Sequence, residues 1–320
     1  MPIIDLPAAA MWLATIALLL AAAIRAAIPA GHRRPVSMRL LVRALLPTRL
    51  LRTASGRLDI AAFVAAKFVL GAALGWALVS SNWWFEIGQH ALGPGPAAAR
   101  LPAWLGLPLV TAVLFVAYEA AYWGNHWLSH NVPALWAFHK VHHSAKSLSL
   151  LTNFRVHPVD TIVFYNMASA CVGLTGAVLV RALGPVPQIG VGGVNAIVFV
   201  ASILLSYLQH SQLWIAFPGR LGGLVLSPAH HQLHHSVDPA HYGSNLGSTL
   251  AVFDRAWGTL LRPSAKRMPL RFGVDGQRIG PHGVRGALLH PFAEAVSAAG
   301  PPSAPRYRAD PEHRGDTSRA

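Results

Sequence analysis

The sequence predicts an all-α fold, a multi-span transmembrane helical bundle with a cytoplasmic, histidine-rich helical cap. Three observations carry that expectation. Of 320 residues, 53% are hydrophobic and only 12% charged, about half the charged fraction of an ordinary soluble domain. Apolar runs near the roughly 20 residues needed to cross a bilayer as a helix recur along the chain. Twelve of the 17 histidines fall between His126 and His241, most of them at helical spacing. The formal net charge of +14 is accounted for by Arg and Lys in loops beside the apolar spans, as the positive-inside rule expects, so nucleic acid is not an expected partner. The single cysteine, Cys171, sits in an apolar run. It reads as a small buried hydrophobe, with no disulfide framework and no thiolate metal site.

In chain order, Leu6–Ile24 is an uncharged run of spanning length. The preceding MPIID lacks a positive segment and strongly basic residues follow, so it reads as a retained helix rather than a signal peptide. The Arg-rich stretch from Arg25 to Arg57 places that loop in the cytoplasm and the N-terminus outside. It is either a solvated loop or a segment lying on the bilayer surface. A second span over about Ile60–Val79 leads into Trp83 and Trp84, an interfacial belt. A third, about Leu101–Trp123, returns the chain to the cytoplasm. A fourth (about Val159–Val180) and a fifth (about Gly190–Leu208) form a hairpin around Gly184, Pro185 and Pro187. Two crossings therefore separate the histidine clusters, which puts both on one side of the membrane.

Those clusters carry the chemistry. The first stretch, HWLSHNVPALWAFHKVHH, holds His126 and His130, then His139, His142 and His143; the second, HHQLHH, holds His230, His231, His234 and His235. On a helix, positions i, i+3 and i+4 share one face, and Pro133 ends one helix and lets the next turn back. Neutral imidazole suits iron, zinc, copper or nickel rather than calcium. Eight such rings, with His210, His230 and His157 as additions, exceed the ligand count of one zinc ion and fit two metal ions. A lone H-x-x-x-H would carry little weight; two H-x-x-H-H runs beside a third pair do. His32, His90, His282, His290 and His313 lie outside the clusters. Asp254, Asp160, Asp238 and Glu119 are the carboxylates near enough to orient the rings. Asp254 reads equally as a salt-bridge or capping residue, and Tyr242–Asn245 as a turn that shapes the cap.

HWLSH, LWAFHKVHHSAKSLSLLTNFRVHP, SPAHHQLHHS and HYGSNLGSTLAVFDRAWGT, between about Glu119 and Thr259, resemble in order and spacing the signatures of the fatty acid hydroxylase / sterol desaturase superfamily, integral-membrane di-iron oxygenases. The resemblance implies two iron ions held by His126, His130, His139, His142, His143, His231, His234 and His235, with His210 and His230 as further ligands. It also implies O2 as cosubstrate and hydroxylation or desaturation of a lipid C–H bond, the lipid entering from the bilayer. Trp127 stands where members often have Arg, and the H-P-G-G haem-binding segment is lacking. Since the sequence carries no flavin, haem or iron–sulfur motif, a separate electron donor, a ferredoxin or cytochrome, is implied. On this reading residues 1–100 are an N-terminal transmembrane and basic interfacial region, 101–261 the catalytic domain, and 262–320 a basic, partly disordered cytoplasmic tail.

Two other classes compete. A zinc-dependent membrane hydrolase calls for a general base such as the Glu of H-E-x-x-H, and these boxes contain no carboxylate. A non-enzymatic metal or haem carrier is the other; a transporter would place broken helices at mid-membrane.

Overall fold

A computed structural model describes residues 3–6, 43, 47, 52–68, 75–274 and 283–298. All but Leu6 of the span expected over Leu6–Ile24 lies outside the described residues, as do most of the Arg-rich stretch after it and residues 69–74 of the second span. The described chain is mostly helical: α1 (Ala54–Phe68), α2 (Ser81–Leu92), α3 (Ala103–Asn131), α4 (Pro133–His143), α5 (Pro158–Leu183), α6 (Ala196–Gln209), α7 (Pro228–His234), α8 (Val252–Trp257) and α9 (Val284–Ala298). Short 3₁₀ turns at Leu150–Phe154, Leu221–Gly223 and Pro239–His241 link them.

Two helices, α3 and α5, are long and apolar enough to cross a membrane. They pack together, and α2 packs on α5. Gly173 allows that last approach: a side chain there would run into the Ser81 carbonyl and the Trp84 Cβ. Large apolar residues on the outer faces, among them Trp104, Leu109, Val116, Leu174 and Val178, are exposed, as lipid-facing positions are. α3 runs on without a break past the expected end of the third span and carries His126 and His130 on its last turns. Val132 then closes α3 and, with Pro133 at the first helical position, opens α4. The turn expected at Pro133 is there, for the expected reason: proline needs no amide partner at a helix start.

The all-α expectation needs one correction. Ile3–Leu6 (β1), Gln188–Val191 (β2) and Val194–Asn195 (β3) form a small sheet in the order β1-β2-β3, β1 parallel and β3 antiparallel to β2. The β2–β3 loop is Gly192-Gly193, with φ of 56° and 78°, the geometry in which glycine closes a tight hairpin. The stretch read as a fifth span is thus part hairpin and part α6, whose apolar run is shorter than a spanning helix. Within α6, Ser202–Ser206 form a π-helical turn. The sheet lies at the end of α5 away from His157, so β1 sits at the pole opposite the histidines.

Within the stretch assigned to the tail, α9 is helical and packs on α4. Lys140 of α4 and Glu294 of α9 form an ion pair. The His157 ring has two tasks: its Nδ1 accepts the Val159 N–H at the start of α5 (3.1 Å), and its Nε2 lies 3.1 Å from the Leu288 carbonyl of α9. It stands outside the histidine clusters.

Candidate metal centre

Nine of the ten histidines expected as ligands fall into two groups. His126 and His130 from α3, His139 and His143 from α4 and His234 from α7 form the first; His142, His210, His231 and His235 form the second. Within each group the candidate ligand atoms all lie within 4.8 Å of one another. The groups abut, the His143 and His235 rings stacking with centroids 4.4 Å apart. His230 lies outside both: its Nδ1 faces the Ser227 amide at 3.0 Å and hydroxyl at 2.8 Å, where it helps cap α7.

The two H-x-x-H-H runs divide between the groups crosswise. From α4, His139 and His143 (i, i+4) enter the first group and His142 (i+3) the second. From α7 and its C-cap, His231 and His235 (i, i+4) enter the second and His234 (i+3) the first. On a helix the i+4 ring lies about 40° to one side of the first and the i+3 ring about 60° to the other. A helix lodged between two centres therefore serves both with this spacing, and two such helices facing each other complete both sets.

Tautomers are set from outside. His126 Nδ1 donates to the Leu246 carbonyl (2.7 Å), His139 Nδ1 to Asp160 Oδ2 (2.8 Å) and His234 Nδ1 to the Ser244 carbonyl (2.8 Å). His210 Nδ1 donates to Asn153 Oδ1 (3.0 Å). Asn153 is oriented in turn, its Nδ2 donating to the Leu150 and Tyr207 carbonyls. A neutral ring with its proton on Nδ1 presents a bare lone pair at Nε2. Those lone pairs point inward.

Burial, the largest cause in each case, pushes the His142, His143, His231 and His235 rings well below the ordinary histidine range and brings His210 and His234 to about 3. Repulsion among neighbouring rings adds to it. Those six imidazoles are thus held neutral, the form that binds metal.

The donor set fits metal ions. Buried Nε2 atoms of His126, His130 and His139 have no hydrogen-bond partner, a costly state for polar nitrogen. In the second group His210 Nε2 lies 3.1 Å from His142 Nε2, 3.1 Å from His235 Nε2 and 3.0 Å from His231 Nε2. The single His210 Nε2 lone pair can accept an N–H from only one of these rings, whereas a cation among them would meet all four, and ligands bound at about 2.1 Å to one ion sit about 3 Å apart. An all-imidazole set favours iron, zinc, copper or nickel over calcium or magnesium.

The two carboxylates that hold the 244–250 loop are less direct. Asp254 accepts the Leu246 amide (2.8 Å), the Gly247 amide (2.9 Å), the Thr259 hydroxyl (2.6 Å) and the Trp123 indole (3.2 Å). Burial pushes its carboxyl above the usual range and these donors work against that. Glu119 accepts the Thr249 and Leu250 amides at 2.8 and 2.7 Å. Neither touches a ring. They fix the loop whose Ser244 and Leu246 carbonyls do. Among the described residues Asp254 is neither a direct partner of a histidine nor half of a salt bridge, and Asp238 serves to cap the 239–241 turn through Ala240. Sequence reasoning missed Asn153, although it lies in the quoted LTNFRVHP.

A cavity of about 490 Å³ opens beside the rings. His126, His139, His142 and His210 line one part; Tyr118, Tyr122, Ile162, Phe164 and Leu78 line the apolar part.

Two histidine groups that could each hold a metal ion thus stand at the end of two helices long and apolar enough to cross a membrane. Residues 111–259, a little under half of the chain, match the sequence profile of the fatty acid hydroxylase family, which supports kinship with the fatty acid hydroxylase superfamily. The chain is similar to alkylglycerol monooxygenase of Xenopus tropicalis, 26% identical over 155 residues, 48% of this chain and 30% of that protein. Similarity to ornithine lipid hydroxylase OlsE of Rhizobium tropici is 28% over 160 residues, 50% of this chain and 41% of that protein. Human alkylglycerol monooxygenase is 23% identical over 148 residues, 45% and 29% respectively. In each case the match spans less than half the relative's length. No solved structure matches the chain.

Proposed function

We propose that this protein is a membrane-bound di-iron enzyme that hydroxylates a lipid C–H bond with O2 and electrons from a separate donor protein. The observation that carries the reading is the pairing of two buried, inward-facing histidine groups with a largely apolar cavity that reaches them. His126, His130, His139, His143 and His234 would hold one ion, and His142, His210, His231 and His235 the other. The iron pair would supply reductive O2 activation, which no side chain performs.

The chain's own part is positioning. Tyr118, Tyr122, Ile162 and Phe164 offer an apolar wall on which a hydrocarbon segment lies beside the rings, and bulk water is kept from it. Asp160, Asn153 and the Ser244 and Leu246 carbonyls accept from the linked Nδ1 atoms, which fixes the ring orientations and turns Nε2 toward the metal positions. Of the three similar proteins named above, two are alkylglycerol monooxygenases and one is an ornithine lipid hydroxylase, which favours hydroxylation over desaturation. The absence of a carboxylate within either group argues against a zinc hydrolase.

The metal pole is proposed to face the cytoplasm, with α3 and α5 crossing the bilayer. β1 at the opposite pole agrees with an N-terminus outside. The test is lipid analysis of cells with the wild-type protein and with His142→Ala. A lipid gaining one oxygen only with the wild type is the expected result. An unchanged lipid profile, with no lipid-dependent O2 uptake by the reduced, iron-loaded protein, would overturn it.

A further inference from the structure

The last described helix, α9, has three faces. Pro291, which is buried, and Glu294 lie on the side toward α4, the glutamate meeting Lys140. His290 and Ser297 make a narrow polar strip. Leu288, Leu289, Phe292 and Val296 cover an arc of roughly 100° on the other side; Leu289 and Val296 point outward, 64% and 76% exposed, while Phe292, half exposed, also leans on α4. Such a stripe is not what a solvated tail carries.

What covers it follows from where it lies. The Leu288 carbonyl meets His157, the residue immediately before α5, and Phe292 packs on the Phe138 and His157 rings, with centroids 5.2 and 5.5 Å away. α9 therefore crosses at the level where α5 leaves its apolar stretch. At the same end of the neighbouring span, Trp127 and the 61% exposed Trp257 flank the buried Trp123, large aromatic surface of the kind found at a membrane boundary. Arg285 stands within the outward arc on the first turn. A dry protein interface would leave its guanidinium short of partners, whereas phosphate headgroups supply them while the stem lies on hydrocarbon.

We propose that α9 is an in-plane helix seated in the headgroup region of the bilayer, its Leu288–Val296 stripe on the acyl chains. It clamps the bilayer surface to α4, the helix that carries His139, His142 and His143. The proposal rests on α3 and α5 spanning the membrane but not on any chemistry at the histidines.

The test uses the full chain with Cys171→Ala, reconstituted in liposomes of equal parts phosphatidylcholine and phosphatidylglycerol. Single cysteines replacing Leu289, Val296, Ser297 or, as a control on α5, Val178 would carry a bimane label. Labels at 289 and 296 are expected to be blue-shifted, to lose fluorescence to nitroxides on the lipid chains and to be protected from aqueous iodide; the label at 297 should be quenched by iodide. Iodide quenching at 289 and 296 equal to that at 297 would overturn the proposal by showing a solvated face. Protection from both quenchers would also overturn it, because protein would then cover the stripe. Failure of lipid quenching at 178 as well would remove the membrane-spanning reading with it; failure at 289 and 296 alone removes only the in-plane helix.

Discussion

The first histidine group draws five rings from α3, α4 and α7, and three of them are pinned through Nδ1, one by the carboxylate of Asp160. The second draws four, and only His210 is pinned, by the neutral amide of Asn153. The Nδ1 atoms of His142, His231 and His235 are buried without a hydrogen-bond partner. The two centres share the same motifs crosswise yet differ in what stands behind their rings. Outer partners raise ligand basicity and fix ring orientation, so the first centre should be the firmer and the second the more easily emptied.

The largest effects should come from the rings that the crosswise division assigns. His234→Ala strips the first group and His142→Ala the second. Each should abolish hydroxylation and lose one of two irons while the protein still inserts in the membrane, and iron analysis beside activity would show whether the losses come from different centres. If both variants keep full iron, neither ring is a ligand. Asp160→Asn retains the shape of the side chain but offers His139 a weaker acceptor. About 10- to 100-fold weaker metal binding is expected, read by competition with a chelator, and confined to one equivalent. Asn153→Ala removes a neutral partner and should cost less, no more than about tenfold, in the other equivalent. Equal effects of these two variants on both equivalents would mean that the centres are not distinct. Smallest of all, His230→Ala should leave iron content intact. It should lower thermal stability by about 1 kcal/mol through the lost capping contacts with Ser227, as a melting curve would report.

Much of this centre is legible in the sequence because helical spacing is simple geometry. His126 with His130, and His139 with His143, lie one turn apart, and Pro133 marks the corner between their helices. The clusters do come together, as the count of crossings expects, although the stretch counted as the fifth span is only partly a helix. Hydropathy averaged over Gly190–Leu208 conceals the Gly192-Gly193 hairpin, a local turn signal inside an apolar run. His230 is indistinguishable from His231 in HHQLHH, since what separates them is which ring rotates toward Ser227. Spacing alone does not say which of two facing centres an i+3 ring enters, so the crosswise division requires the packing of α4 against α7. The holders are harder still: the Ser244 and Leu246 carbonyls belong to the backbone and leave no residue type to read. Asn153 reaches His210 only because the 150–154 turn folds beneath α6. α9 is hidden by its composition, for a basic Pro/Gly-rich stretch with Pro291 inside the helix offers no helical signal by periodicity.

The central claim is that two histidine groups each hold one metal ion. It is tested most directly by anaerobic titration of metal-free protein with ferrous iron, excluding zinc, which would outcompete it at nitrogen sites. The account predicts two equivalents bound per chain in wild type, the second more weakly than the first, and one in His142→Ala. A wild-type endpoint of one equivalent, or of none, would contradict it.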